Sequence, residues 1–283
     1  MENVQDLPRR VEVYEVGPRD GFQMETEWIP TGRKIDIVNA LSRTGLRLIQ
    51  VAAFVHPSAV PQHRDAEEVF RGIAHVPGVV YEALVLNRKG AERALAAGAD
   101  RLEIVVSATD SHSLANANRT TAEALAGVRD VARMAGDAGV PCSGGIATAL
   151  GCPYEGVPSF ERLAVVCDGY REMGLSEFSI ADTSGMANPV LVYERLTQLC
   201  ARYPEVAFRL HLHDTRRMAT GNIIAALQAG VTRFDGAIGG LGGCPYAPGA
   251  TGNIATEDMV HMFHEMGLET GVDLDQLVES RAS

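Results

Sequence analysis

At 283 residues and 46% hydrophobic content, the chain is long enough to bury one large core. A formal charge of −11 excludes a generic basic surface for nucleic acid, and no run approaches the roughly 20 uninterrupted apolar residues of a membrane span. The opening MENVQDLPRRVEVYEVG carries early acids and no apolar stretch before the first strand pattern, so neither a secretory signal nor a transit peptide is expected.

Taken in order, short β-rich runs alternate with amphipathic helical patterns. The predicted strands are Val11–Val16, Leu48–Phe54, Val79–Val85, Arg101–Val106, Pro141–Ala147, Glu177–Ala181, Ala207–His213 and Arg233–Ile238. Predicted helices between them include Arg33–Ser42, Lys89–Ala97, Ala122–Ala138, Glu161–Met173, Val190–Arg202 and Asn222–Ala229. Gly45, Gly98, Gly139, Gly174 and Gly230 supply helix stops. This alternation predicts an α/β fold of the (β/α)8 TIM-barrel type, as a single domain over residues 1–283. Residues Met259–Ser283 read as a closing helix plus an additional C-terminal segment, placed over the barrel bottom or a neighbouring subunit. The rival, a doubly wound open sheet, requires a phosphate loop after its first strand, and Gly17-Pro18-Arg19-Asp20-Gly21 is no such loop.

Five cysteines, Cys142, Cys152, Cys167, Cys200 and Cys244, are odd in number and scattered, with no Cys-x-x-Cys spacing. They form no disulfide framework, and a reduced, cytoplasmic setting is expected. Cys244 stands apart from the others because glycines and a proline surround it.

A barrel collects its chemistry at the C-terminal ends of its strands. Capable residues fall there: Arg19 and Asp20 after strand one, Gln50 and His56 on and after strand two, Asp182 and Thr183 at strand six. His211, His213 and Asp214 end strand seven, and the Cys244 loop follows strand eight. His211 and His213 are two apart, so an extended strand projects both to one face and can offer two imidazoles to one cation. On that pair alone a metal site and two satisfied buried histidines remain equally open.

The motifs Gly17-Pro18-Arg19-Asp20-Gly21, His211-Leu212-His213-Asp214-Thr215, Gly151-Cys152-Pro153-Tyr154-Glu155-Gly156 and Gly240-Leu241-Gly242-Gly243-Cys244-Pro245-Tyr246-Ala247 resemble the 3-hydroxy-3-methylglutaryl-CoA lyase family of metal-dependent barrel lyases. The resemblance runs from about Glu15 to Leu277. It implies a carbon–carbon lyase that cleaves a 3-hydroxy-3-methylglutaryl-CoA-like substrate to acetyl-CoA and acetoacetate. By the same resemblance, Asp20, His211, His213 and Asn253 would ligate Mg²⁺ or Mn²⁺, and Arg19 would stabilise charge on the substrate carbonyl. Asp182 would be a supporting or acid–base group, Cys244 the proton donor on a closing loop, and the assembly a homodimer acting on a small acyl-CoA or hydroxy acid.

Departures from the family pattern cluster near the expected substrate. Gln50 replaces a glutamate, Met24 and Thr26 replace an asparagine-to-lysine stretch, His56 stands where serine is common, and Arg216-Arg217 follows His-Asp-Thr. Gln50, His56, Arg216 and Arg217 are therefore candidate substrate-binding residues. Loss of a carboxylate beside two added arginines predicts a less negative mouth, suited to a more anionic substrate. The alternatives are a related lyase or aldolase acting on another 3-hydroxy-acyl-CoA or free hydroxy acid, and a catalytically quiet barrel with a binding role. A Schiff-base aldolase is rejected, because Lys34 and Lys89 both fall in helical patterns.

Overall fold

The β-rich runs assemble as eight parallel strands that close into a barrel in sequence order. The computed structural model describes residues 7–243 and 252–282. The strands are β1 (Glu12–Glu15), β2 (Leu48–Ala53), β3 (Val80–Val85), β4 (Arg101–Ser107), β5 (Cys142–Ala147), β6 (Glu177–Asp182), β7 (Ala207–Leu212) and β8 (Arg233–Gly236), and β8 pairs with β1 to complete the ring. Outside them lie α1 (Thr31–Leu41), α2 (Ala66–Gly72), α3 (Arg88–Ala97), α4 (Asp110–Ala117), α5 (Thr121–Asp137), α6 (Phe160–Glu172), α7 (Pro189–Arg202), α8 (Ala219–Gln228), α9 (Thr256–Glu265) and α10 (Leu274–Ala282).

The expected TIM barrel is therefore observed, and its edges differ from the sequence reading for local reasons. Strand β1 stops at Glu15 because the backbone then winds into a π-helical turn over Gly17–Gly21, where the Asp20 amide bonds the Val16 carbonyl at 2.6 Å. Strand β8 stops at Gly236 because Ala237 pairs instead with Ala255. Helices α2 and α4 have no counterpart among the predicted elements. Each spans about two turns, too short for a 3.6-residue period to declare itself, and α4 ends at left-handed Asn118 (φ 53°). Where the sequence is explicit the ends agree: Thr120 and Glu123 form a reciprocal capping box on α5, and Gly98 closes α3 at φ 90°.

The tail is placed by backbone bonds to its own chain. Glu269 pairs with Arg10, the Asp273 amide donates to the Thr44 carbonyl, and α10 packs on α1 and α9 with Leu277 fully buried.

The strands' outward residues form the apolar layer beneath the helices, and this frees the barrel interior for polar side chains. Tyr14, Glu82, Ser143 and Arg209 come from the odd strands and touch one another. Gln50, Glu103 and Asp235 come from even strands immediately above. This is the alternate-strand layering of such barrels, built from paired charges rather than branched aliphatics. Arg209 is 1% exposed, with Glu82, Glu103 and Asp235 around it. Burial alone would lower its pKa, but those carboxylates hold it well above the usual value.

Candidate active site

Three segments deliver the site to the C-terminal rim. The turn after β1 brings Arg19 and Asp20, and the end of β7 brings His211 and His213. The third segment threads between β7 and β8: the Asp214 amide bonds the Gly252 carbonyl, the Ile254 amide bonds the Leu212 carbonyl, and His213 pairs with Asn253. That pairing carries Asn253 to the foot of the histidines.

One ligand atom from each of Asp20, His211 and His213 can be chosen so that all lie within 4.8 Å of one another, and all three residues are buried. The two imidazole centroids are 5.2 Å apart, as the shared strand face requires. Asp20 Oδ2 lies 3.5 Å from His213 Nε2 and accepts a 2.7 Å hydrogen bond from Asn253 Nδ2. Burial opposes ionisation of Asp20, but the Arg19 guanidinium and His213 hold its carboxyl far below the usual range, so it is an anion at neutral pH. Asn253 donates also to the Leu241 carbonyl, while its Oδ1 is buried without a hydrogen-bond partner. A neutral oxygen acceptor left empty beside a carboxylate and two imidazoles suits a hard divalent cation. The four residues thus fit the metal that the sequence suggests.

The close approach depends on Gly242, whose backbone sits at φ 119°. A Cβ there would fall 2.9 Å from Asp20 Oδ2 and collide with Asn253 Nδ2. Gln23, not singled out in the sequence, steadies the same carboxylate through a 2.9 Å bond from its Nε2 to Asp20 Oδ1.

A cavity of about 190 Å³ opens onto these groups. Arg19, Asp20, His211 and His213 stand on one wall; Val55, Val60, Leu84, Leu86 and Val105 form an apolar wall, joined by His112 and Asn116 from α4. His112 is buried and its imidazole is pushed down to about 4 by that burial, so it is neutral at physiological pH.

The remaining sequence candidates distribute unevenly. Asp182 does not line the cavity. Its two oxygens accept the Met186 and Ala187 amides at 2.8 and 3.0 Å, and burial raises its pKa. It holds the turn that presents Thr183 to the cavity. His56 is exposed, with Nδ1 2.7 Å from Ser58 Oγ, and is not among the lining residues. Arg216 donates to the Gly185 carbonyl at 2.8 Å, and exposed Arg217 pairs with Asp214 at 3.3 Å; neither lines the cavity. Cys244 lies outside the described residues.

Gln50 is fully buried beneath Arg19, with its Nε2 on Glu82 Oε1 at 2.7 Å and Glu103 Oε2 at 2.6 Å. The expectation of a less negative mouth is thereby corrected. The carboxylate absent at position 50 is replaced by two directly behind it, and the two arginines point their charge elsewhere.

The HMGL-like family model matches residues 10–283. The chain belongs to the HMGL-like family. Among its relatives, hydroxymethylglutaryl-CoA lyase YngG of Bacillus subtilis is 45% identical, over 96% of this chain and 91% of that one. The cytoplasmic 3-hydroxy-3-methylglutaryl-CoA lyase of Mus musculus is 42% identical, over 97% of this chain and 80% of that one. Among solved structures, an HMG-CoA lyase from Acinetobacter baumannii in complex with coenzyme A and 3-methylmalate superposes with TM-score 0.93. It is 42% identical, with 99% of this chain and 91% of that one covered. These HMGL-like relatives span the barrel and its C-terminal helices alike. Among the described residues, no helix is long and apolar enough to cross a membrane.

Proposed function

We propose that this chain is a divalent-metal-dependent carbon–carbon lyase that cleaves 3-hydroxy-3-methylglutaryl-CoA to acetyl-CoA and acetoacetate. One observation carries the reading: Asp20, His211 and His213 converge at the wall of a largely apolar cavity, and Asn253, bonded to Asp20 and paired with His213, has an unpartnered Oδ1. Near-full-length similarity to lyases of this substrate supports it, and the relative holding coenzyme A supports an acyl-CoA substrate. Mg²⁺ or Mn²⁺ is the ion proposed, from a donor set of oxygen and imidazole without thiolate.

When bound, such a cation supplies Lewis acidity toward the substrate's hydroxyl and carboxylate oxygens. The chain's own residues supply the rest. In the reaction a base takes the proton of the tertiary hydroxyl and the C2–C3 bond breaks. C3 becomes the ketone of acetoacetate, and the electron pair passes to C2 as the enolate of the acetyl thioester. Arg19, on the cavity wall, offers fixed positive charge to the oxygen on which that enolate charge develops. Cys244 is proposed to return a proton to C2. The apolar wall of Val55, Val60, Leu84, Leu86 and Val105 excludes water that would otherwise quench the enolate. Asp182 acts by holding Thr183 and the turn behind His213, rather than by meeting substrate. Residues 1–283 are read as one catalytic barrel, working in the cytoplasm as a homodimer, which sedimentation of the purified chain tests.

The function itself is tested by incubating the purified chain and 3-hydroxy-3-methylglutaryl-CoA with Mn²⁺ or Mg²⁺. Equimolar acetyl-CoA and acetoacetate, abolished by EDTA and restored by metal, are expected. A metal-loaded chain that leaves this substrate intact would overturn the reading.

A further inference from the structure

We propose that Gln50 is the positioning residue of Arg19, and that this strand-two position must carry a neutral amide in this chain. Gln50 is fully buried and does not line the cavity, so it can act on the reaction only through a neighbour. Its side chain has donors on one end and an acceptor on the other, and the surroundings use both. The Nε2 end donates to Glu82 Oε1 and Glu103 Oε2 at 2.7 and 2.6 Å, and the Oε1 end accepts from Arg19 Nε. Two carboxylates on one side and a guanidinium on the other leave the amide a single orientation.

The carboxylates are themselves anchored. Glu82 accepts from Arg209 and Ser143 and lies 3.0 Å from Arg101 Nε as an ion pair, and Glu103 accepts from Arg209. Arg209 Nε lies 3.3 Å from Asp235 Oδ1, and Asp235 Oδ2 lies 3.4 Å from His211 Nδ1. A continuous polar path therefore runs inside the barrel from Arg19 to a proposed metal ligand, with contributions from β2, β3, β4, β7 and β8. It fixes the direction of the Arg19 guanidinium relative to the metal wall.

The path also explains why a glutamate is unsuitable at position 50. In its ionised form, a glutamate there would set a third carboxylate against two others and donate to neither. A protonated one has a single O–H for two acceptors. Glu103→Gln offers relief, since its new amide can donate toward position 50 while its carbonyl still accepts from Arg209.

The kinetic part of this inference rests on the proposed lyase activity, so the experiment reads both kcat and thermal unfolding. Gln50→Leu should lower kcat about 10²-fold, the scale of one misplaced electrostatic donor, with KM and Mn²⁺ affinity little changed. In an Arg19→Met background the same substitution should cost less than about 3-fold, because the residue through which it acts is gone. A merely structural role would give independent, multiplying losses, and that result would overturn the positioning assignment. Gln50→Glu should lower kcat at least as much as Gln50→Leu and depress the unfolding midpoint by about 5 °C or more. The double substitution Gln50→Glu with Glu103→Gln should recover most of that midpoint. An unmodified melting temperature in Gln50→Glu, or no recovery in the double variant, would refute the requirement for a neutral amide. Should the parent chain cleave nothing, the lyase reading fails by itself while the melting series still decides the amide.

Discussion

Gly242→Ala is the sharpest small perturbation of the proposed metal centre. The residue holds φ 119°, which L side chains rarely adopt, so the substitution carries backbone strain of about 1–3 kcal/mol. The added methyl would lie 2.9 Å from Asp20 Oδ2, where ordinary contact begins near 3.4 Å, and would meet Asn253 Nδ2 more closely still. Asp20 must therefore retreat from the methyl by about half an ångström and Asn253 by about one, at or beyond the tolerance of roughly half an ångström within which such sites work. Since both are proposed ligands, Mn²⁺ affinity should fall about 10- to 100-fold, the scale seen when groups orienting a ligand are disturbed. The assay is calorimetric titration of the apo chain with Mn²⁺, beside a thermal melt that shows the barrel intact. Unchanged Mn²⁺ affinity in a folded Gly242→Ala chain would refute the placement of Asp20 and Asn253 at one ion.

Other consequences follow from the same contacts. Arg209→Met leaves Glu82, Glu103 and Asp235 without their shared buried cation and should cost about 3–5 kcal/mol in denaturant unfolding; a near-neutral result would mean those carboxylates are protonated. Burial holds His63 and His112 down to about 4, below the unfolded value near 6.5, so each contributes stability that is lost as pH falls from 6.5 toward 4. Glu15, raised to about 7 by burial, works in the opposite sense over the window from about 4.5 to 7. In His112→Asn the stability lost between pH 7 and pH 5 should shrink by about 2 kcal/mol, whereas an unchanged pH slope would show that His112 is not buried as a neutral group. Cys244→Ala should abolish turnover and leave Mn²⁺ titration unaltered; loss of metal affinity would make the thiol a ligand instead of a proton donor.

Much of the barrel is legible from period alone, because a parallel strand buried under helices leaves an apolar run and each helix between strands shows its own stripe. His211 and His213 are legible for a related reason: strand spacing and a shared face are one property. The interior charges are not legible. Glu82, Glu103 and Arg209 each sit at an alternate position in a strand, where a sequence cannot distinguish a solvent face from a barrel lumen. Only closure of β8 onto β1 turns them inward to pair. Gln50 is conspicuous as a departure, yet its meaning lies in those unseen partners. Arg216 and Arg217 show the converse. Their charge is plain in the sequence, but the direction of a long flexible side chain is decided by the nearest carbonyl or carboxylate, here Gly185 and Asp214.

Metal occupancy and product formation, followed together on one preparation of the purified chain, test the central claim most directly. As Mn²⁺ is added to the EDTA-treated protein with 3-hydroxy-3-methylglutaryl-CoA, one ion per chain should bind, and acetyl-CoA release should rise in proportion. Both should be lost in His211→Ala and His213→Ala. Full-rate cleavage by the metal-free chain, or by a histidine variant that binds no Mn²⁺, would contradict it.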